Sequence, residues 1–218
     1  MLILAVDTST PAVTAAVVEF AERFSGGGAE RVVLNPRAHG ELLTPLISQA
    51  LEQLRATPSD LGAIVAGVGP GPFTGLRAGL VTAAAMGHAL SIPTYGVCSL
   101  DGIGATTSGK TLVATDARRK EIYWATYVDG VRADGPHVSA PSEVAEIAAA
   151  ADGCYGDGAH RYADVLDVTP AEDPRFPRAA ALVGQAGERI ASRAPGEGLT
   201  PLYLRRPNVN IGGQNQRV

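Results

Sequence analysis

The chain has 218 residues, of which 45% are hydrophobic and 18% charged, a globular composition that excludes intrinsic disorder, a fibrous repeat and a coiled coil. Eighteen basic against 22 acidic residues give a formal charge of −4, so no global positive field draws the chain to nucleic acid, and any RNA contact is local or shared with a partner. The length fits one large domain or two compact ones, and we read two, 1–105 and 106–218, the second including a C-terminal tail free to pack back on the first.

Leu2–Val6 and Ala12–Phe20 are apolar, β-branched runs separated by Asp7-Thr-Ser-Thr-Pro11, a pattern that predicts a β-hairpin. Asp7 follows the first run at once and no basic segment precedes it, which fits a strand better than a targeting signal. No apolar run reaches the ~20 residues of a membrane span, and the expected location is cytoplasmic. Ser25-Gly-Gly-Gly28 predicts the next turn, and Arg31–Leu34 a third strand ended by Asn35-Pro36. From His39 to Leu54 the residues Leu42, Leu43, Leu46, Ile47, Ala50, Leu51 and Leu54 recur at helical spacing. Pro45 is either a first-turn proline behind a Thr44 cap or a kink in a longer helix.

Ala63–Val68 reads as a buried strand leading into Gly69-Pro-Gly-Pro-Phe-Thr-Gly-Leu-Arg77 and a second helix that ends at Leu90. Thr94–Val97 is a further strand, Ser99–Gly104 a short helix or connection, and Thr106–Gly109 the boundary between the units. The second unit opens with a strand at Thr111–Ala114, the loop Asp116–Lys120 and a strand at Glu121–Val128, with Asp129-Gly130 as a hairpin turn. Pro141–Ala151 and Ala179–Arg193 predict helices, and Cys154–Gly158 a strand at a loop edge. Leu199–Arg206 closes the ordered core, and Gly212–Val218 reads as a disordered tail. Cys98 and Cys154 are too far apart for a C-x-x-C pair and read as buried thiols.

The glycine loop fails the P-loop and dinucleotide templates, and Pro70 and Pro72 remove two N–H donors, so a structural turn is the preferred reading over a phosphate site. Gly75, Gly79, Ala83 and Gly87 recur every four residues and form a small-residue ridge on the second helix. That ridge serves either a protein interface or tight packing on the chain's own sheet. Asp7-Thr8-Ser9-Thr10 resembles the first phosphate hairpin of actin-like ATPases, with Ser9 where a glycine would help; Asp7 alone equally suits a turn former. Gly156-Asp-Gly158 is a two-glycine match to an adenosine-binding turn. His39, His88, His137 and His160 have no H-x-x-x-H spacing, so no helical metal pair is predicted. Arg118, Arg119 and Lys120 offer either a contact to RNA or another acidic ligand, or a solvated hairpin tip.

Taken together, Ile3–Thr10, His39–Leu43, Gly69–Arg77, Asp116–Arg119 with Tyr123, and Pro201–Arg205 resemble, in order and spacing, the TsaB family of dimerisation subunits. The resemblance covers nearly the whole chain. It implies a two-lobe actin-like (sugar kinase/Hsp70-like) α/β fold with a degenerate nucleotide site, for which Asp7, Thr8, Ser9, Gly156 and Gly158 are the candidates. It implies no catalytic or metal-ligating residues, no required cofactor and at most vestigial nucleotide binding. The implied partners are the catalytic subunit TsaD, the ATPase TsaE and tRNA, with a homodimer when TsaD is absent. In the family TsaD transfers threonylcarbamoyl to N6 of the adenosine beside the anticodon of ANN-reading tRNAs. The family's interface uses the two first-lobe helices, which places Leu43, Ile47, Ala50, Leu54, Gly75, Gly79, Ala83 and Gly87 at the contact; with tRNA among the implied partners, the cations Arg118, Arg119 and Lys120 are the candidates toward it. Many relatives carry a small serine where Pro72 stands. The alternative reading is an active ATP-using or peptidase-like enzyme on the same fold.

Overall fold

The first run, Leu2–Asp7 (β1), is apolar on both sides: Leu4 and Val6 face one core and Ile3 and Ala5 the other, all fully or almost fully buried. A strand of that kind belongs in the middle of a covered sheet. The computed structural model, which describes residues 1–21 and 24–205, places it there. β1 pairs antiparallel with Ala12–Ala21 (β2), and β2 with Phe24–Leu34 (β3); on its other side β1 runs parallel to Leu61–Gly67 (β4), and β4 parallel to Thr94–Val97 (β5). The order is β3-β2-β1-β4-β5. Parallel neighbours need crossovers, supplied by His39–Gln53 (α1) and Phe73–Leu90 (α2). Leu43, Ile47, Leu76 and Leu80 from these helices bury the face that carries Leu4 and Val6.

A second sheet repeats the plan. Lys110–Asp116 (β6), Ile122–Val128 (β7) and Val131–Ser139 (β8) form an antiparallel meander, and Gly153–Tyr155 (β9) lies parallel to β6, in the order β8-β7-β6-β9. Asp101–Gly104 (α3) precedes it; Leu100 and Ile103 pack with Val113, Ala125 and Tyr127 on one face. Ala145–Ala149 (α4), Asp157–Arg161 (α5) and Ala163–Leu166 (α6) cover the other, where Leu112, Ala114 and Ile122 meet Ala148, Ala159 and Leu166. The chain then returns to the first sheet. Ala179–Gln185 (α7) and Gly187–Ala191 (α8) bring Leu182, Val183 and Ile190 onto the face that carries Ile3, Ala5 and Val65.

From Ala194 to Arg205 the chain forms no helix or strand, yet it is tied down along its length. Glu197 N–H donates to Thr94 O at 2.8 Å, Leu202 N–H to Val68 O at 2.8 Å, and the Arg205 guanidinium to Ala117 O at 3.1 Å. Leu202 packs against cores of both sheets. This strap joins β5, the end of β4 and the turn between β6 and β7.

Several local expectations need correction. Ser25–Gly28 is not a turn but lies in β3, where Gly28 pairs with Val18 and a Cβ would stand 2.6 Å from Val17 O. Thr44 caps nothing: α1 starts at His39 and Pro45 sits inside it, the longer-helix alternative. Pro141–Ala151 is a single 3₁₀ turn, Pro141–Glu143, followed by the five-residue α4, and Ala179–Arg193 breaks at Ala186 into α7 and α8. Cys154–Gly158 divides between β9 and the start of α5. Asp129 (φ 48°) and Gly130 (φ 80°) are both left-handed, as a tight two-residue hairpin turn demands. Cys98 and Cys154 are both free and buried, and burial pushes the Cys98 thiol up to about 11. Gly212–Val218 lies outside the described residues. No described helix is long and apolar enough to cross a membrane.

Candidate functional site

The turn after β1 faces inward. Asp7, Thr8 and Ser9 are each at most 2% exposed. The Asp7 carboxylate accepts from Ser9 N–H (2.9 Å), Ser9 Oγ (2.7 Å) and Ser99 Oγ (2.6 Å). Burial raises the Asp7 carboxyl above its ordinary range, against the pull of those three hydrogen bonds. Ser99 Oγ in turn accepts from Gly69 N–H at 3.0 Å. A Cβ at Gly71 would overlap the Ser9 carbonyl, so the glycine loop lies directly on this turn. The Ser9 N–H, which a phosphate hairpin would aim at a ligand, is spent on Asp7. His39, at the start of α1, is buried and donates from Nε2 to Thr10 O at 2.8 Å.

The second nucleotide candidate is likewise packed against its own sheet. Gly156 (φ 96°) admits no Cβ because the Ala114 carbonyl occupies that space, and a Cβ at Gly158 would stand 2.7 Å from the Thr115 carbonyl carbon. These glycines let α5 close on β6. Between them stands Asp157, whose Oδ1 has no hydrogen-bond partner among the described residues. Burial first and the charge of Asp116 second push its carboxyl up to about 6.

The small-residue ridge of α2 also turns inward. A Cβ at Gly75 would stand 3.0 Å from Thr8 O, and one at Gly79 would overlap Thr8 Oγ1. That hydroxyl donates to Gly75 O at 2.8 Å and accepts from Gly79 N–H at 3.1 Å. A Cβ at Gly87 would stand 2.5 Å from Thr94 Cγ2, and Ala83 is fully buried. Leu43, Ile47 and Ala50 of α1 are core residues too, and Leu54 is half-buried against the same core. Seven of these eight residues are therefore turned into the chain's own core, Leu54 being the half-buried exception, and internal packing explains the ridge. The reachable face of α2 is its opposite side, where Phe73 (55% exposed) and Val81 (63%) stand with Ala84. There the Phe73 ring stacks on Tyr203 of the strap at 5.4 Å between centroids, Arg77 lies 4.8 Å over Phe73, and Leu199 and Pro201 complete an open groove. Helical spacing groups residues on one side of a helix without telling which side faces out, and the apolar pair Phe73 and Val81 was the overlooked signal.

The third candidate, the turn between β6 and β7, is exposed. Arg118 (φ 62°), Arg119 (φ 54°) and Lys120 (φ 63°) are three successive left-handed residues, and none is Gly, Asn or Asp. For ordinary L-residues that conformation costs ~1–2 kcal/mol each. Buried Asp116 anchors the turn: its carboxylate accepts from Arg118 N–H (3.1 Å), Arg161 Nη1 (3.4 Å) and Tyr162 Oη (3.4 Å), with Arg118 Nη1 at 3.8 Å. Ala117 N–H donates to Glu121 O at 3.0 Å, and Arg205 ion-pairs with Glu121. The sequence shows the tip cations and the motif ending in Arg205, but not Arg161 or the link of Arg205 to this turn, both of which the fold brings in from a distance. Among the described residues no three or more His, Cys, Asp or Glu side chains are grouped to hold a metal ion.

A family model described as TsaD, tRNA N6-adenosine threonylcarbamoyltransferase, matches residues 33–166. The chain is 51% identical over 207 residues to an uncharacterised protein of Mycobacterium tuberculosis, covering 95% of this chain and 93% of that one. It is 33% identical over 135 residues to the tRNA threonylcarbamoyladenosine biosynthesis protein TsaB of Escherichia coli, covering 58% of this chain and 55% of that one. Among solved structures, YeaZ from Pseudomonas aeruginosa superposes with a TM-score of 0.77 at 28% identity, covering 93% of this chain and 99% of that one. With a family model spanning more than half of the chain and a YeaZ structure aligned over nearly all of it, the chain belongs to the TsaB/YeaZ-like family.

Proposed function

We propose that this chain acts in threonylcarbamoyladenosine biosynthesis as a non-catalytic scaffold, the dimerisation subunit that binds and stabilises a TsaD-type catalytic subunit. TsaD would transfer threonylcarbamoyl from threonylcarbamoyl-adenylate to N6 of the adenosine next to the anticodon in ANN-reading tRNAs, with TsaE as a further partner and a homodimer when the chain is alone. In this reading the fold is a two-lobe actin-like one whose nucleotide site is vestigial, and the chain needs no cofactor of its own. The observation that carries the reading is the division of α2. Its inward side is filled by Thr8 and Thr94, while its outward side leaves Phe73 and Val81 bare beside Tyr203. Exposed aromatic and branched side chains on one helix face suit a helix-to-helix interface. The inward turn of Asp7 and Ser9 further supports a role without nucleotide chemistry.

The test is nucleoside analysis of an unmodified tRNA incubated with donor, TsaD, TsaE and this chain, each omitted in turn. Product that needs both this chain and TsaD is the expected result. Product from this chain and donor alone would establish catalysis here and overturn the scaffold reading.

A further inference from the structure

We propose that the tip of the β6–β7 turn, with Arg161 beside it, is a docking surface for the phosphate backbone of RNA. This deepens the proposed function and rests on it in one respect, the choice of RNA among polyanions. The placement of the cations is independent of that choice.

Three observations converge on the tip. First, Arg118, Arg119 and Lys120 hold a conformation in which Gly, Asn or Asp would be less strained. Backbone strain of this kind clusters at ligand clamps and binding sites, and here it is occupied by three cations. Second, the strain is overdetermined. Asp116 holds the turn from below, Ala117 N–H donates to Glu121 O across its base, and Arg205 grips Ala117 O from the strap. Third, the local charge opposes the global one. Buried Asp116 draws Arg118 and Arg161, from two different elements, to one carboxylate, and both side chains remain at least half exposed. No carboxylate of the described residues lies within 4.0 Å of Arg119 or Lys120. A chain of formal charge −4 thus presents a projecting cationic tip at this turn, and guanidinium groups match phosphate oxygens in a bidentate manner. The acidic remainder repels a polyanion elsewhere, so the tip also orients it.

The backbone supplies a sharp test. Replacing Arg119 and Lys120 by glycine removes two charges while relieving the left-handed strain, so folding and binding should move in opposite directions. Binding of an unmodified tRNA transcript to the full chain is measured by fluorescence anisotropy over a salt series, with and without TsaD. The R119G/K120G chain should melt no lower than the parent, bind the transcript at least tenfold more weakly at low salt, and lose about one to two units from the slope of log K against log salt. Unchanged affinity and slope would overturn the proposal, as would absence of RNA binding by the parent in both arms. Release of TsaD by the double variant without RNA, with RNA retained, would make the tip a protein contact and overturn it as well. Salt-dependent RNA binding at the tip without any modified nucleoside in the reconstitution would leave this proposal standing and sink the scaffold reading instead.

Discussion

Ser99 Oγ donates to Asp7 Oδ2 at 2.6 Å, tying the end of β1 to the residue two past the end of β5. A Cβ at Gly67 would overlap the same carboxylate oxygen, so β4 yields its side chain to let the bond form. Asp7 is thus the hub of a knot that closes the carboxyl ends of three neighbouring strands.

Removing that hub strands three donors. Asp7→Ala leaves Ser9 N–H, Ser9 Oγ and Ser99 Oγ without their acceptor, and should cost ~2–4 kcal/mol of folding stability in urea titrations. Asp7→Asn keeps the shape and removes a buried charge. Because burial raises the folded Asp7 carboxyl, ionising it opposes folding as pH rises above the ordinary carboxylate range. The Asn variant should therefore lose little or nothing at neutral pH. In reconstitution it should retain full modification; a large loss of product with intact folding would return Asp7 to a chemical role.

Asp157 makes the pH argument quantitative. Folded Asp157 keeps its proton to about pH 6, whereas an unfolded aspartate releases it near 4. Between those values the folded chain binds more protons, so stability falls as pH rises through the window and the cost is fully present above it. Asp157→Asn should flatten the melting temperature between pH 4.5 and 8 and stabilise the chain by ~2 kcal/mol at pH 8. An unchanged pH profile would show that burial and the Asp116 charge do not hold the folded Asp157 carboxyl above its ordinary range.

On α2, inward and outward substitutions should separate folding from partnership. Gly79→Ala forces a methyl into Thr8 Oγ1 and should destabilise the chain by ~1–3 kcal/mol, so loss of a partner there reports on folding. Val81→Asp lies on the open face and should shift stability by no more than ~0.5 kcal/mol. Calorimetric titration with TsaD should nonetheless show at least a hundredfold loss of affinity. Undiminished binding would move the interface off this face.

Between the sheets, Tyr127 Oη donates to Asp101 Oδ1 at 2.8 Å, with Arg132 Nε at 3.6 Å from the same oxygen. Tyr127→Phe should cost ~1–2 kcal/mol, read from the midpoint of chemical denaturation.

Local chemistry was the legible part of the sequence. The β1–β2 hairpin, both long helices and the Asp129-Gly130 turn follow from alternation, helical spacing and turn residues, because those signals live within a few positions of one another. What escaped was set by distant neighbours. Ser25–Gly28 has the composition of a turn, and only its pairing with β2 shows why glycine suits a strand there. The ridge of α2 is correctly grouped by its spacing but needs Thr8 and Thr94, far apart in the chain, to fix its direction. Asp157 stands between two glycines, and its raised carboxyl comes from burial first and from Asp116 on another element second, neither of which local sequence shows.

The return of α7 and α8 to the first sheet bears on how the chain is made. Ile3, Ala5 and Val65 are covered by Leu182, Val183 and Ile190, which leave the ribosome only after the second sheet has been synthesised. Until then a nascent first sheet has one apolar face bare, a surface of the sort that invites chaperones or premature association. Contacts of such long sequence separation also slow folding. The chain is thereby committed to completing its first sheet last, even though the strands of that sheet are synthesised first.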